Sequence, residues 1–157
     1  MQLVKTKFVL SVLMLSVSAI SATGGRKTVA WDDPAERVEI GESVYYYEDS
    51  SGSKDIQNVS AVTFQNSFQL ATSKTLNFGQ TNHDYWLRMT FTRVGSDDRA
   101  RVLEIDQSNI DIVEWYTPEK DGRFSLQKAG MLSPFAIRTI KNRNFVFSIE
   151  LAKGETK

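Results

Sequence analysis

The sequence predicts an all-β fold, a sandwich or barrel of short strands, with one short helix. Two observations carry this prediction. From residue 38 onward apolar residues alternate with a period of two, and turn residues interrupt the alternation about every ten residues. Many short strands at this spacing are typical of sandwiches and barrels. No segment repeats at a fixed period, so a repeat architecture is not expected.

The length and charge of the chain limit the class of protein to which it can belong. It has 157 residues, with 19 basic and 19 acidic side chains, which fits one domain plus a leader. This near-neutral balance gives no electrostatic reason to expect nucleic acid or an anionic membrane surface as a partner, and contact with a membrane is expected only through a receptor part that this chain does not contain. Cysteine is absent, so neither a disulfide nor a lipoprotein anchor is available.

Residues 1–22 have the pattern of a secretory signal peptide. Lys5 and Lys7 form a basic start, residues 8–17 are mostly apolar, and small residues follow up to Ala22. The apolar stretch is shorter than the roughly 20 residues that span a bilayer, although an uncleaved anchor is the alternative. The leader predicts an exported protein, in the periplasm or at the outer face of the cytoplasmic membrane.

The predicted elements follow from the local pattern. Residues 23–37 read as an extended arm, because they combine one glycine pair and acidic residues with few apolar ones. Strand patterns then begin at Val38 and at Val44, and Asp55 is a predicted N-cap for a short helix over residues 55–62. The strongest strand pattern runs from residue 85 to 92.

The second half of the chain continues in strands. Alternating segments cover residues 101–105, 110–116 and 145–151. Asp121-Gly122 is a hairpin signal before another strand at Phe124. With the preceding elements, these segments make residues 38–157 one predicted domain.

The order of several motifs resembles a known family. The motifs are Tyr46-Tyr47-Glu48-Asp49 before a glycine turn and a short helix, the run 77–88 ending in Trp86-Leu87-Arg88, the runs 103–105 and 111–116, and Gly130 with Ser133-Pro134-Phe135, Arg138 and the run 143–147. Together they are similar to the extracellular domain called 7TMR-DISM extracellular 2, found before seven-helix membrane modules in bacterial signalling receptors. The resemblance covers residues 38–154.

This resemblance implies a jelly-roll-like β-sandwich, similar to carbohydrate-binding modules. It also implies a sensor that stands outside the cytoplasmic membrane and passes a ligand signal to seven transmembrane helices and an output domain. The chain departs from the family pattern at Met131, where the family often has an acidic residue, and at its end, where the family continues into a membrane helix. We therefore expect a sensor domain without its membrane and output parts, either a receptor fragment or a stand-alone binder.

A ligand face is predicted from aromatic and planar polar side chains on neighbouring strands, since aromatic rings stack on sugars and polar groups bind their hydroxyls. Its candidate residues are Tyr45, Tyr47, Trp86, Arg88, Asp111 and Trp115. The alternative is structural: both tryptophans lie in the core, and Arg88 pairs with a buried carboxylate such as Asp111 or Glu104.

Few side chains in the sequence suit a catalytic site. His83 is the single histidine, which with the absence of cysteine makes a metal site or a catalytic triad improbable, and no cofactor is expected. Asp111 and Glu114 are the carboxylates that a glycosidase would need, and this is the least favoured function. The sequence thus predicts a non-catalytic sensor of a carbohydrate or other small molecule. A protein-interaction or homodimerisation module is the alternative.

Overall fold

Strands dominate the computed structural model, which describes residues 1–7, 27–31, 37–94, 100–152 and 154–157. The strands are β1 Gln2–Lys7, β2 Val29–Trp31, β3 Tyr45–Asp49, β4 Gln69–Leu70, β5 Asp84–Met89, β6 Phe91–Arg93, β7 Arg101–Ile105, β8 Ile112–Pro118, β9 Phe124–Ala129 and β10 Phe145–Ile149. Within these ranges the α-helix α1 spans Ile56–Ser60, and 3-10 helices span Gly41–Ser43, Val62–Ser67 and Phe135–Ile137. The predicted all-β sandwich with one short helix is confirmed.

Six strands form the main sheet, in the order β4-β3-β5-β1-β8-β9, and every neighbouring pair is antiparallel. Two short ladders complete the β structure: β7 pairs antiparallel with β10, and β2 pairs parallel with β6. Gly122 has a φ of 82° in the turn between β8 and β9, which is the hairpin that Asp121-Gly122 predicts. The jelly-roll-like connectivity stays a prediction.

The main core lies between one face of the six-stranded sheet and the two ladders. Because side chains alternate along a strand, Leu87 and Met89 of β5 enter this core together with Trp115 of β8. From the other layer, β10 contributes Phe147, whose ring stacks on Trp115 with centroids 5.5 Å apart. Burial of these large apolar side chains stabilises the sandwich.

The opposite face of the sheet is covered by α1 and the 3-10 helix Val62–Ser67. Asp55 caps α1: its carboxylate accepts a hydrogen bond from the Asn58 backbone N–H at 2.8 Å, and the Asn58 side chain accepts one from Asp55 N–H at 3.0 Å. Val59 of the helix and Phe68 then pack with Trp86 in a second apolar cluster. The predicted helix and its N-cap are confirmed.

Three predicted segments differ from the structure. The strand predicted over residues 85–92 ends at Met89, and Phe91–Arg93 forms a separate strand that pairs with β2. Val38 and Ile40 precede a 3-10 helix instead of forming a strand. The chain turns here instead, with the Ser43 and Val44 N–H groups donating to the Ile40 and Gly41 carbonyls at 2.8 and 3.0 Å, and Gly41 lies so close to the Lys74 carbonyl oxygen that an added Cβ would be 1.9 Å from it. Within the predicted arm, residues 29–31 form a strand, because Val29 is buried and its ladder with β6 satisfies the backbone.

The basic start of the predicted leader forms β1, in the middle of the sheet. Leu3 and Val4 are fully buried, one on each face, and Lys5 Nζ lies 2.9 Å from the buried carboxylate of Asp84. The fit is imperfect, since the fully buried side-chain amide of Gln2 has no hydrogen-bond partner among the described residues. If residues 1–22 are cleaved off as a leader, they cannot supply β1 to the mature protein. The structure does not test this cleavage, so the leader stays a prediction. Its residues 8–22 lie outside the described ones.

Over the part of the chain that the structure describes, none of the helices has the length and apolar character of a membrane span.

The chain that retains its first residues depends on β1 for stability. Leu3→Ala removes a fully buried side chain and leaves a cavity, so we expect the free energy of unfolding to fall by about 2–4 kcal/mol in urea denaturation. Val62→Ala is the matched control, because Val62 is 88% exposed and its truncation should change stability little. Equal stability of Leu3→Ala and wild type, with residues 1–7 verified by mass spectrometry, would show that β1 is dispensable.

Candidate functional site

The six residues of the predicted ligand face lie in three places. Four of them share the sheet face that α1 covers: Tyr45, Tyr47, Trp86 and Arg88. Trp115 lies on the opposite face, in the main core. Asp111 precedes β8, and its backbone carbonyl accepts a hydrogen bond from the Leu132 N–H at 3.1 Å. The structure therefore does not bring the predicted face together as one site.

Both tryptophans are core residues. Trp86 and Trp115 are 0% exposed, so neither indole ring offers a face to a ligand. The sheet is covered on both sides here: all six residues of β5 are buried, and the Trp86 ring packs against Tyr116 at 5.9 Å. This burial agrees with the structural alternative, in which both rings belong to the core.

Arg88 is buried as well, and the acceptors described for it belong to Gln65, not to Asp111 or Glu104. The side chain is 2% exposed, and its Nη1 donates hydrogen bonds to the Gln65 backbone carbonyl at 3.1 Å and to Gln65 Oε1 at 2.6 Å. The guanidinium carbon lies 4.6 Å from the centroid of the Tyr45 ring and 4.5 Å from that of Phe68. Cation–π contacts and charge-assisted hydrogen bonds thus stabilise a buried cation.

Gln65 connects this cation to the end of α1. Its buried Nε2 donates to three consecutive carbonyl oxygens, those of Val59, Ser60 and Ala61, at 3.0, 3.2 and 3.1 Å. The last carbonyls of a helix have no intrahelical partner, so a side-chain donor placed here satisfies them. The Arg88–Gln65 pair therefore fixes the helical segment against β5.

Tyr45 and Tyr47 are half-buried in the same cluster. The ring of Tyr47 meets Phe64 edge to face, with centroids 4.8 Å apart, and the Tyr45 hydroxyl accepts a hydrogen bond from the Lys27 backbone at 3.0 Å. Their ring faces are largely occupied by protein. A ligand role for these two tyrosines, or for Asp111, stays a prediction.

A different group of side chains lies where the end of β3 meets the start of β5, and two of its members are open to solvent. His83 Nδ1 lies 2.5 Å from Glu48 Oε1, and the Tyr85 hydroxyl donates to the same oxygen at 2.8 Å. The side chains of Glu48 and His83 are 47% and 41% exposed. Phe78 stacks on Tyr85 with centroids 4.1 Å apart, and Tyr46 packs against Phe78 at 5.3 Å. We call these five residues the rim cluster.

The rim cluster has a defined electrostatic state. Hydrogen bonds from His83 and Tyr85 hold the pKa of Glu48 below its usual value of 4.5, so this carboxylate is ionised at neutral pH. Burial, together with the hydrogen bond to Glu48, raises the pKa of Tyr85 to about 12, so its hydroxyl remains a donor. The arrangement combines aromatic rings with a charged acceptor.

The predicted ligand face includes none of these five residues. The signal that could have revealed the rim cluster is alternation, because Tyr46 and Glu48 share one face of β3 and Glu48 lies opposite Tyr85 in the ladder. Away from the rim cluster, the described surface includes two open depressions. One lies at the β8–β9 hairpin around Asp121 and the other beside α1 at Gln57. Among the described residues, no group of three His, Asp or Glu side chains is arranged to bind a metal.

The Arg88–Gln65 pair should show strong energetic coupling. Arg88→Met keeps the volume but leaves the Gln65 acceptors without their buried donor, so we expect a loss of about 2–4 kcal/mol in the free energy of unfolding. In the double variant Arg88→Met/Gln65→Leu the total loss should fall short of the sum of the single losses by about 1 kcal/mol or more. Additive losses in urea denaturation would mean that the pair does not act as a unit.

Comparison with known proteins supplies the family. No curated protein and no solved structure gives a significant match. The model of the family 7TMR-DISM extracellular 2 matches residues 41–157, about three quarters of the chain. This range includes the helical cover, β5 and the rim cluster, and the family comprises extracellular domains of receptors that function outside the cytoplasmic membrane. The chain belongs to the 7TMR-DISM extracellular 2 family of sensor domains.

Proposed function

We propose that this sensor domain binds a small-molecule ligand, such as a carbohydrate, at the rim cluster, as the recognition part of a bacterial signal-transduction receptor. The observation that supports the site is the exposed Glu48–His83 pair beside the Phe78 and Tyr46 rings. Binding sites for small polar molecules combine apolar ring surface with a few oriented polar groups. The rim cluster contains both.

The chemistry of the rim cluster suits hydroxyl-bearing ligands. An ionised Glu48 accepts hydrogen bonds from hydroxyl groups, and the half-buried ring of Phe78 provides apolar surface for the C–H face of a sugar. Recognition of this kind needs no bond breaking, and we propose a non-catalytic role. A glycosidase would need a second carboxylate on the far side of the scissile bond, about 5–9.5 Å from the first.

A protein-interaction or dimerisation role is the second candidate. The observation that favours it is β9, which ends the six-stranded sheet as an edge strand and exposes 41% of Leu126. The unpaired backbone groups of an edge strand can add a strand from a partner or from a second copy. A strict monomer in light scattering, with no partner retained by the immobilised domain, would count against this role.

Ligand binding should stabilise the wild-type domain and depend on Glu48. At a concentration 100 times the dissociation constant, linkage gives about 2.7 kcal/mol of stabilisation, which a thermal-shift screen of sugars, amino acids and related solutes detects. Glu48→Gln should remove most of the shift because it removes the charged acceptor, whereas Glu39→Gln, also at an exposed position, should not. A shift that both variants retain would move the site elsewhere, and no shift with any solute would argue against small-molecule sensing.

Acid should weaken the contribution of Glu48 to stability. Because its folded-state pKa is lowered, its contribution is present above the unfolded value near 4.5 and is lost as the pH falls through the folded-state pKa. The difference in unfolding free energy between wild type and Glu48→Gln should therefore shrink between pH 6 and pH 3, roughly the range over which carboxylates titrate. A difference that stays constant over this range, in urea denaturation, would contradict the assignment.

A further inference from the structure

The segment between β9 and β10 exposes an unusual amount of apolar surface. Four large apolar side chains within seven residues are at least half exposed: Met131 at 56%, Leu132 at 71%, Phe135 at 53% and Ile137 at 50%. Single exposed apolar residues need no explanation, but a contiguous group marks an interaction surface. We call residues 131–143 the apolar loop.

The charge of the apolar loop is entirely positive. It carries Arg138, Lys141 and Arg143, and the sequence has no acidic residue from position 122 to 149. None of the three cations takes part in the ion pairs found among the described residues, in contrast to Lys128, which pairs with Glu114 at 2.9 Å. The side chains of Lys141 and Arg143 are both exposed to solvent. The neutral balance of the whole chain conceals this local excess.

Hydrogen bonds from two of these cations fix the shape of the loop. Arg138 Nη1 donates to the carbonyls of Asn142 and Arg143 at 2.8 and 3.3 Å, and Lys141 Nζ donates to the carbonyls of Phe135, Ala136 and Arg138. The acceptors are neutral, so the positive charges are not cancelled. The apolar side chains are thus held outward by a preorganised loop, which lowers the ordering entropy lost on binding.

The base of the loop is tied to the sheet. Gly130 has a φ of 122° and approaches Asp111 so closely that an added Cβ would lie 2.3 Å from its carbonyl oxygen. The backbone N–H groups of Met131 and Leu132 donate to the carbonyls of Ile110 and Asp111 at 2.8 and 3.1 Å. The loop is therefore a fixed projection of the sandwich, not a free segment.

We propose that the apolar loop docks on an anionic phospholipid surface. Apolar side chains that project beside cations bind at the headgroup boundary, where apolar burial and attraction to anionic lipids act together. A domain that functions outside the cytoplasmic membrane meets such a surface, and docking would fix the orientation of the sandwich relative to it. A neutral protein surface would leave the three cations without countercharges.

Vesicle co-sedimentation of the full chain tests this proposal. Binding to phosphatidylcholine vesicles with about one third phosphatidylglycerol should exceed binding to pure phosphatidylcholine by about tenfold, since each basic residue near an anionic surface contributes several-fold. Leu132→Ser/Phe135→Ser and, separately, Lys141→Gln/Arg143→Gln should each weaken binding by about tenfold. The matched controls are Val62→Ser, at a fully exposed valine, and Lys74→Gln/Lys120→Gln, at exposed lysines away from the loop.

Every variant carries the same predicted leader, so a difference between variants reports on the loop alone. Equal binding of loop variants and wild type overturns the proposal, as does equal binding to both vesicle types. If wild type binds no vesicles but is a dimer that the Leu132→Ser/Phe135→Ser variant converts to monomer in light scattering, the loop is a self-association surface and the lipid proposal is also overturned.

Discussion

The burial of β5 on both faces is the constraint on which the rest of the structure depends. All six of its residues are buried, so successive side chains must find partners in two different apolar clusters. Leu87 and Met89 enter the core of the sandwich, whereas Trp86 and Arg88 face α1 and its neighbours. Without the helical cover, the second face would expose a tryptophan and require Arg88 to remain hydrated. The short helix is therefore part of the core architecture.

This constraint explains why Trp86 and Arg88 of the predicted ligand face are buried. Residues that would suit a sugar site, an indole and a guanidinium on one strand face, also suit a closed interface when rings and carbonyls surround them. Gln65 favours the closed interface over an open sugar site. Its carbonyl and amide oxygens accept hydrogen bonds from Arg88, and its amide nitrogen donates to carbonyls at the end of α1. Recognition is then left to the perimeter of the domain, where the rim cluster and the apolar loop offer different chemistry.

Local patterns predicted the elements well and the long-range contacts poorly. Alternation located β5, and Asp55 located the start of α1, because both signals involve residues within one element. The Arg88–Gln65 and Glu48–His83 contacts join residues 23 and 35 positions apart, and strand pairing, which one sequence does not reveal, determines them. Residues 2–7 have the composition of a leader, yet their alternation also fits a strand between β5 and β8. The sequence pattern alone therefore does not distinguish a leader from a central strand.

Hydrogen exchange resolved to individual strands tests the central claim, that β5 and its helical cover form one rigid unit and that recognition occurs at the perimeter. If β5 is the centre of the fold, its amides exchange only through global unfolding, and Arg88→Met accelerates exchange in β5 and α1 together. Amides of residues 77–83, next to the rim cluster, should exchange through local opening at a lower free energy. Exchange of β5 as fast as that of residues 77–83, or acceleration confined to one of the two elements, would contradict this account.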